Sequence, residues 1–391
     1  MFRAKPESIM FSRLYLHIPF CLRKCGYCAF NSEVLLDNDD LSHYVTLLLK
    51  EMQLASADSA KGKRIVSIYF GGGTPSLLEA GQLTLMIQKA SELFDLDPDI
   101  EITLEANPGT VDQARFKALL SAGINRLSLG VQSFNEDFLK NLGRVHDANQ
   151  ARTAFGDARS AGFNNISIDL MHSLPSQNIA QWQTDLEQAI RLAPEHISIY
   201  PLTIEEGTSF AHRYPLDSCE RPDDDLSADM FEIADDLLTA AGYEHYEIAS
   251  YARPGCRSNH NSGYWQRDGY LGLGVGAHSF FKDGHGVRLS NVNSLSQYAE
   301  MIAADLLPRL DRKILSRKDA MEEYMFLGLR LADGVSPDEF EMEFGSSFGD
   351  VYGKVIDELA GLGLLERRDT RLQLTRRGML LSNQAFSRFL L

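Results

Sequence analysis

Short apolar segments alternate with longer stretches of helical spacing through the first half of this 391-residue chain. The apolar segments, rich in Ile, Leu, Val, Tyr and Ser, are 14–20, 65–70, 100–105, 126–130, 166–170 and 196–202. Between two of them, Leu83, Met86, Ile87 and Ala90 recur at the spacing of one helix face. Because parallel strands need long crossovers, this alternation predicts an α/β fold with a parallel sheet covered by helices. Six such units predict a partial (β/α)6 barrel that is open on one side.

The pattern changes after about residue 220. A helical segment follows 223–225, and a region rich in Tyr, His and Gly runs from 243 to 281. Helical segments beyond residue 316 and a helix, turn and short strand pair at 361–374 predict a compact, mainly helical, winged-helix-like module. We therefore predict three units: the barrel at 1–220, a connecting region at 221–310 and the smaller C-terminal module at 311–391.

A formal net charge of −16 disfavours general binding to phosphate backbones. Only the last 25 residues are basic, with Arg367, Arg368, Arg371, Arg376, Arg377 and Arg388 against Asp369. Winged-helix units often bind DNA, but the overall charge favours docking to a partner protein or to anionic lipids, so we predict no nucleic-acid partner. No 18-residue apolar stretch occurs and none opens the chain, so we expect a soluble cytoplasmic protein.

Three of the five cysteines form a compact motif directly after the first predicted strand. Cys21, Cys25 and Cys28 have the spacing C-x3-C-x2-C, which indicates metal ligation rather than disulfides. Three thiolates can hold three irons of a 4Fe-4S cluster and leave the fourth iron open to another ligand. A zinc site completed by His17 is the alternative, which the uncommon C-x3-C step disfavours. Cys219 and Cys256 are interpreted as ordinary thiols.

Glycines and polar residues gather where the later predicted strands end. They are the glycines 71–73 with Thr74, then Glu105, Gln132 and Asp169, and Arg144 follows on the loop after Gln132. Ligands of parallel α/β folds bind at this edge of the sheet. Each carboxylate could instead cap the following helix. Together, these groups would offer acceptors for hydroxyls and an ammonium, and a guanidinium for a carboxylate.

The sequence L-Y-L-H-I-P-F-C-L-R-K-C-G-Y-C-A-F resembles the radical S-adenosylmethionine (SAM) superfamily, and in particular the oxygen-independent coproporphyrinogen III oxidase-like family. The resemblance implies a radical SAM partial barrel with a 4Fe-4S cluster on Cys21, Cys25 and Cys28 and with SAM as its ligand. By the family's motifs G-G-G-T-P, E-A-N-P, S-L-G-V-Q-S-F, L-G-R-x-H and D-L-M, the implied SAM contacts are Tyr15, Tyr27, Gly72, Gly73, Thr74, Glu105, Gln132, Arg144 and Asp169.

Within that family the chain is more similar to the haem chaperone branch than to the dehydrogenase. Phe30 stands where the dehydrogenase branch has a further cysteine, and the 20 residues before Cys21 leave no room for that enzyme's long N-terminal arm. The motif H-N-x-x-Y-W at 260–265 resembles the chaperone branch and implies that His260 binds haem. His278, in a G-x-G-A-H-S segment, is predicted either to contact haem or to hydrogen-bond its own turn.

The resemblance therefore implies a haem chaperone that binds haem, retains the cluster and SAM site, and delivers haem to apo-haemoproteins. Membrane respiratory enzymes are the expected recipients, which would place the protein in the cytoplasm or at the inner membrane, and a homodimer is compatible with the family. The 221–310 region would then carry the haem or porphyrin site. The alternative is an oxygen-independent coproporphyrinogen III dehydrogenase, which decarboxylates its substrate oxidatively to protoporphyrinogen IX.

Overall fold

The computed structural model describes residues 11–58 and 64–390. The strands of this described part are β1 (Arg13–Ile18), β2 (Phe20–Cys21), β3 (Glu33–Val34), β4 (Arg64–Gly72), β5 (Asp95–Ala106), β6 (Arg126–Gln132), β7 (Ile166–His172), β8 (His196–Pro201), β9 (Glu244–Glu247), β10 (Ser250–Ala252), β11 (Tyr270–Leu273), β12 (His278–Phe281), β13 (Val287–Asn291), β14 (Arg309–Ile314), β15 (Leu365–Arg368) and β16 (Arg371–Leu374).

The six predicted strands form the centre of one large sheet. They are β1, β4, β5, β6, β7 and β8, which lie in that order, and each is parallel to its neighbour. On one face of these strands, residues such as Leu14, Ile68 and Leu104 are buried in the core that also contains the apolar residues of the helices. The partial (β/α)6 barrel is therefore confirmed, and the carboxyl ends of its strands share one edge.

Helices supply the crossovers between these strands. They are α1 (Asn38–Asp58), α2 (Ala80–Leu93), α3 (Gln113–Ser121), α4 (Glu136–Leu142), α5 (Ala148–Ala161) and α6 (Ile179–Leu192). The helices that follow β8 are α7 (Ser209–Arg213), α8 (Asp224–Ala240), α9 (Asn259–Trp265), α10 (Leu295–Ala303), α11 (Arg317–Gly328), α12 (Pro337–Phe344), α13 (Phe348–Gly361), α14 (Arg376–Leu380) and α15 (Ser382–Ser387). Many begin at a side chain that accepts a backbone N–H. Asp147 and Asn178 form capping boxes at α5 and α6, which fixes where these helices start.

The sheet extends beyond the six predicted strands at both edges. β11 adds parallel to β1 and is followed by antiparallel β12, β13 and β14, while β10 and β9 add antiparallel beyond β8. Sequence periodicity missed these strands because most of them are too short to show a period. The strands from β9 to β13 belong to the connecting region predicted at 221–310, and they continue the same sheet as the first unit. The boundary at 220/221 stays a prediction.

The C-terminal module has its own apolar core and confirms the predicted mainly helical, winged-helix-like unit. α11, α12 and α13 pack around Phe340, Phe348 and Tyr352, and β15 and β16 form the two-stranded hairpin. Its basic residues are largely paired. Arg376 contacts Asp235 and Asp236 of α8 at 2.9 and 2.7 Å; the further pairs are Arg368 with Glu366, Arg371 with Glu339 and Arg388 with Glu358. These carboxylates neutralise much of the patch that the sequence suggested.

None of the helices in the described part of the chain combines the length and the apolar character that crossing a membrane requires.

Candidate functional site

The three predicted cluster ligands lie on one loop beyond the carboxyl end of β1. Cys21 ends β2, and the Cys28 N–H donates to the Cys25 carbonyl oxygen at 3.2 Å, which closes the turn between them. Gly26 has no space for a side chain, because a Cβ there would lie 2.7 Å from the Phe210 ring. Burial raises the pKa of the Cys28 thiol, and the neighbouring Cys25 and Cys21 raise it further. The three free thiols are therefore close enough to interact electrostatically.

His17, the fourth ligand of the zinc alternative, does not join the cysteines. Its Nε2 lies 2.8 Å from the Asn31 carbonyl oxygen and its Nδ1 lies 3.0 Å from the Tyr15 hydroxyl, so both ring nitrogens have partners. Across 11–58 and 64–390, no three His, Cys, Asp or Glu side chains converge tightly enough to hold one metal ion. A 4Fe-4S cluster binds each thiolate through a different iron and so suits thiols that are more widely spaced.

A cavity of about 400 Å³ lies beside the cysteine loop, at the carboxyl ends of the parallel strands. Most of the residues predicted to bind the cluster or SAM line it; they are Cys21, Cys25, Tyr27, Cys28, Gly72, Gly73, Thr74, Glu105, Gln132, Arg144 and Asp169. Tyr15 lies behind this layer, where its ring stacks with that of Tyr69 at a centroid distance of 6.2 Å. The structure thus brings together residues that are up to 148 positions apart, from Cys21 to Asp169.

The glycine segment at the end of β4 brings bare backbone to the cavity. Gly72 has φ +115°, and a Cβ there would lie 2.5 Å from the His17 ring. A Cβ on Gly73 would lie 2.6 Å from the Phe20 carbonyl oxygen. Gly73 and Thr74 donate their N–H groups at 2.7 Å to the carbonyl oxygens of Ile18 and Phe20, respectively. Glycine is required here because the segment passes directly over the start of the cysteine loop.

Two carboxylates line the cavity, and no cation within 11–58 and 64–390 forms a salt bridge with either. Glu105 accepts hydrogen bonds from the Tyr69 hydroxyl at 2.9 Å and from the Gly72 N–H at 3.2 Å. Asp169 accepts from the Ser128 hydroxyl at 2.9 Å. Burial raises the pKa of Glu105 to about 7, and the nearby Asp169 contributes to the rise. Burial also raises the pKa of Asp169. Such carboxylates would be stabilised by a ligand that carries an ammonium or hydroxyl groups.

Arg144 joins the cavity to the cysteine loop. Its Nη1 lies 3.6 Å from the Cys25 sulfur, and its Nη2 donates to the Gly130 carbonyl oxygen at 2.7 Å. Its Nε is buried without a hydrogen-bond partner in the described structure, and the same holds for Nε of Arg126 on the cavity wall. Buried donors without partners are rare, and an anionic ligand group such as a carboxylate would satisfy them. The donors and acceptors of the cavity therefore fit the charged groups of SAM.

His260 is fully buried beneath this layer and does not line the cavity. Its Nδ1 lies 2.8 Å from the Ser67 hydroxyl, and its Nε2 lies 2.8 Å from the Tyr264 hydroxyl. Its ring packs on Tyr69 at a centroid distance of 5.0 Å. Burial lowers its pKa far below the usual value, and the guanidinium groups of Arg13 and Arg126 lower it further. In this arrangement neither ring nitrogen is free for a haem iron.

Several cavity residues were not found from the sequence. Ser128, Tyr69, Ser198 and Tyr200 line the wall beside the predicted residues. Ser128 lies at even spacing from Gln132 on β6, and Tyr69 from Gly71 on β4, so the two-residue period of a strand indicates both. Ser198 and Tyr200 lie on β8, where the sequence predicts no site residue from which to count. His278, by contrast, is exposed and outside the cavity lining.

The mouth of the cavity is apolar and basic. Phe30 and Leu22 on the cysteine loop are 67% and 48% exposed, and Tyr200 across the opening is 42% exposed. Arg23 and Lys24 lie beside them on the same loop, and both line the cavity. Exposed large apolar residues concentrated at one opening indicate a binding surface rather than ordinary solvent-facing positions. We refer to Leu22, Arg23, Lys24, Phe30 and Tyr200 as the rim.

The sheet, the cysteine loop and the polar cavity together define a radical SAM protein. In agreement, residues 15–189 match the family model of the Radical SAM superfamily, and residues 315–381 match that of the HemN C-terminal domain. The fold is similar to that of coproporphyrinogen III oxidase (HemN) from Escherichia coli, with a TM-score of 0.85 and 24% identity over 99% of this chain and 91% of that one.

Similarity to curated relatives identifies one family within the radical SAM class. The chain is 38% identical to the heme chaperone HemW of Lactococcus lactis, over 99% of this chain and 98% of the relative. It is 39% identical to HemW of Haemophilus influenzae over 96% and 97%, and 38% identical to HemW of Escherichia coli over 96% and 97%. The chain therefore belongs to the HemW family.

Proposed function

We propose that this protein is a haem chaperone: it holds a 4Fe-4S cluster and SAM, binds haem at the rim, and passes haem to apo-haemoproteins. The observation that carries the proposal is the rim itself, where exposed apolar side chains and two cations surround the opening of the cluster cavity. Haem is a flat apolar ring with two carboxylates, so it needs both kinds of contact. The names of the curated relatives support the same function.

For the cluster, the proposed ligands are Cys21, Cys25 and Cys28. Their three thiols line one cavity, and the bound cluster would supply an iron open to SAM and a one-electron reductant. The neighbouring Arg144 contacts the Cys25 sulfur through Nη1 at 3.6 Å, which places a positive charge beside this proposed ligand. No cysteine stands two positions after Cys28, where the chain has Phe30.

For SAM, each proposed contact follows from the chemistry of the side chain. Glu105 and Asp169 would accept hydrogen bonds from the ammonium and the ribose hydroxyls, and Arg144 would bind the carboxylate. Gly72, Gly73 and Thr74 would present backbone groups at close range; Tyr27 and Gln132 would complete the wall, and Tyr15 would support it from behind.

The haem role of His260 remains a prediction. Binding of iron by its imidazole would require the ring to move from its present position. The ring would have to leave both the Ser67 and the Tyr264 hydroxyls and reach the cavity past Tyr69. If the imidazole binds iron, His260→Ala should weaken haem binding and leave SAM affinity unchanged. If it only supports the cavity wall, SAM affinity should fall as well, while Phe30→Ala should affect haem alone.

The test of the function starts with anaerobic reconstitution with iron and sulfide, followed by titration with haem. Burial of a Phe side chain is worth roughly 1.5–3 kcal/mol, so we expect Phe30→Ala to weaken haem binding at least tenfold. Leu85→Ala is the matched control, because Leu85 is 54% exposed on α2 and lies outside the cavity lining. Equal haem affinity of the Phe30 variant and the control would reject the rim as the haem site.

The same preparation tests the dehydrogenase alternative. With coproporphyrinogen III, SAM and a reductant we expect no protoporphyrinogen IX, and formation of that product with 5′-deoxyadenosine would overturn the chaperone proposal. Measuring the same product with Phe30→Cys tests whether this position alone separates the two functions.

We further propose that the recipients are cytoplasmic or inner-membrane-associated proteins such as respiratory enzymes, and that the protein forms a homodimer. Co-purification with an apo-haemoprotein tests the first point, and sedimentation of the reconstituted protein tests the second.

A further inference from the structure

The backbone turns sharply where β6 ends in the cavity wall. Gln132 has φ +70°, a value that residues with a Cβ rarely adopt. The next N–H, that of Ser133, donates to the Val131 carbonyl oxygen at 2.9 Å, so Gln132 is the centre of a three-residue turn. Turns of this kind with a positive φ are rare and strained. The pairing of β6 with β7 also shifts register here, between Gly130 and Gln132.

A buried carboxylate holds the two residues that follow this turn. Asp185 on α6 is 1% exposed, and its Oδ2 accepts the Ser133 hydroxyl at 2.6 Å. Its Oδ1 accepts the Phe134 N–H at 2.8 Å. Ser133, itself fully buried, accepts the Asn135 N–H at 3.0 Å. The Asp185 carboxylate thus accepts hydrogen bonds from both residues that immediately follow Gln132.

Asp185 has no other evident task. In the described residues no Lys, Arg or His forms an ion pair with it, and burial raises its pKa to about 6. It occupies the buried face of α6 beside Trp182 and Leu186, where an apolar residue would normally pack. Burying a carboxylate among apolar neighbours is costly unless its hydrogen bonds are needed. Both bonds go to the segment that sets the Gln132 conformation.

A second side chain fixes the other end of the turn. His146 is buried, and its Nε2 lies 3.1 Å from the Val131 carbonyl oxygen, which also accepts the Ser133 N–H. Its Nδ1 lies 3.0 Å from the Asn107 side-chain oxygen, at the end of the neighbouring β5. Hydrogen bonds therefore hold the chain on both sides of Gln132: His146 contacts the preceding residue, and Asp185 contacts the two that follow.

We propose that Asp185 is a positioning residue for SAM: it maintains the strained turn that directs Gln132 into the SAM cavity. This inference rests on the proposed SAM site. It explains why a strained non-glycine residue persists at the cavity wall, since such strain survives only where the surroundings enforce it. Asp185 does not touch the cavity, and its effect on the ligand passes through Gln132.

The experiment compares SAM affinity of the reconstituted full-length protein with that of Asp185→Asn and Ser133→Ala. Asn keeps an acceptor for the Phe134 N–H, but its amide cannot accept the Ser133 hydroxyl. A hydrogen bond to a charged group corresponds to about tenfold in binding, so we expect SAM affinity to fall about tenfold in Asp185→Asn. Cluster absorbance and haem affinity should be unchanged.

Glu51→Gln is the matched control. Glu51 is also a buried carboxylate that accepts a backbone N–H, that of Gly274 at 2.7 Å, but it lies outside the cavity lining. Its replacement should leave SAM affinity unchanged, whatever its effect on stability at the pH of the titration. Equal losses of SAM affinity in the Asp185 and Glu51 variants would reduce Asp185 to a general structural role and reject the proposal.

A second comparison remains decisive even where Asp185 variants lose stability. Glycine tolerates positive φ, so Gln132→Gly removes both the strain and the side chain that Asp185 would direct. In that background Asp185→Asn should cost little further SAM affinity, whereas an undiminished tenfold loss would show that Asp185 does not act through Gln132.

Failure of the unaltered protein to bind SAM would instead reject the SAM site together with this inference. Normal SAM binding by both the unaltered protein and Asp185→Asn would reject the inference alone.

Discussion

SAM affinity should rise with pH through the neutral range because of Glu105. Its carboxyl is buried, next to Asp169, and its pKa is raised to about 7. A charged carboxylate is a stronger acceptor for an ammonium or a ribose hydroxyl than a neutral carboxyl, so SAM binds the ionised form in preference. The protonated form, which dominates below pH 7, must first lose its proton, and this reduces the apparent affinity.

The size of the effect follows from the ionised fraction. With a pKa of about 7, roughly one Glu105 in eleven is ionised at pH 6 and about ten in eleven at pH 8. Apparent affinity is scaled by the fraction of the protein that is competent to bind, so it should increase up to about tenfold over this interval. The corresponding change in binding free energy is about 1.4 kcal/mol.

Anaerobic calorimetry of SAM binding at pH 6, 7 and 8 measures this dependence, with Glu105→Gln as the control. The glutamine cannot ionise but can still accept the Tyr69 hydroxyl. Titration of SAM itself is common to both proteins and cancels in the ratio of their affinities. Parallel pH profiles for the two proteins would refute the reasoning, as would an affinity of the unaltered protein that declines between pH 6 and pH 8 relative to the variant.

Three further predictions concern binding and stability. Arg144→Lys loses the forked donor group and should weaken SAM binding about tenfold in the same titration, with haem affinity unaffected. Gly263→Ala should lower the free energy of unfolding by about 1–3 kcal/mol in urea denaturation, because its Cβ would lie 2.0 Å from Nε of Arg13; Gly353→Ala, with nothing nearby, should not. The pKa of Glu51 is raised to about 7 by burial. The unaltered protein should therefore lose about 3 kcal/mol of stability relative to Glu51→Gln as the pH rises from 4.5 to above 7.

The sequence predicts the parts of this fold that repeat and the parts that are chemically unusual. Six strands of parallel sheet were predictable because buried strands separated by helical crossovers leave a strong periodic pattern. The cysteine loop was predictable because thiols at fixed short spacing are rare. Glu105 was predictable as a strand-end residue, since parallel strands bring their carboxyl ends to one edge. Asp169 was predicted at a strand end as well, but β7 continues to His172 and places Asp169 in the middle of the strand, where it still lines the cavity.

Other features depend on long-range contacts and leave little local signal. β9 to β12 have three or four residues each and gain their pairing from the edges of an existing sheet. The role of Asp185 becomes visible only when the fold brings α6 beside Ser133 and Phe134, which follow β6. Carboxylates such as Asp235 neutralise part of the positive charge predicted for the C-terminal segment. These partners are distant in sequence, so the sequence alone does not reveal them.

His260 of the H-N-x-x-Y-W motif lies behind the cavity wall, although Asn261 of the same motif lines the cavity. Glu101 on β5 accepts the N–H groups of Asn259 and His260 at 3.0 and 2.9 Å, which anchors the start of α9 to the sheet. The imidazole then links Ser67 of β4 to Tyr264, one helical turn away. Because His260 also packs on Tyr69, which donates to Glu105, the motif is connected to the cavity through two side chains. A change at the motif would therefore alter ligand binding even if the imidazole never met an iron, so loss of haem binding alone does not identify a ligand. Only a variant that separates haem affinity from SAM affinity can distinguish coordination by His260 from support of the wall.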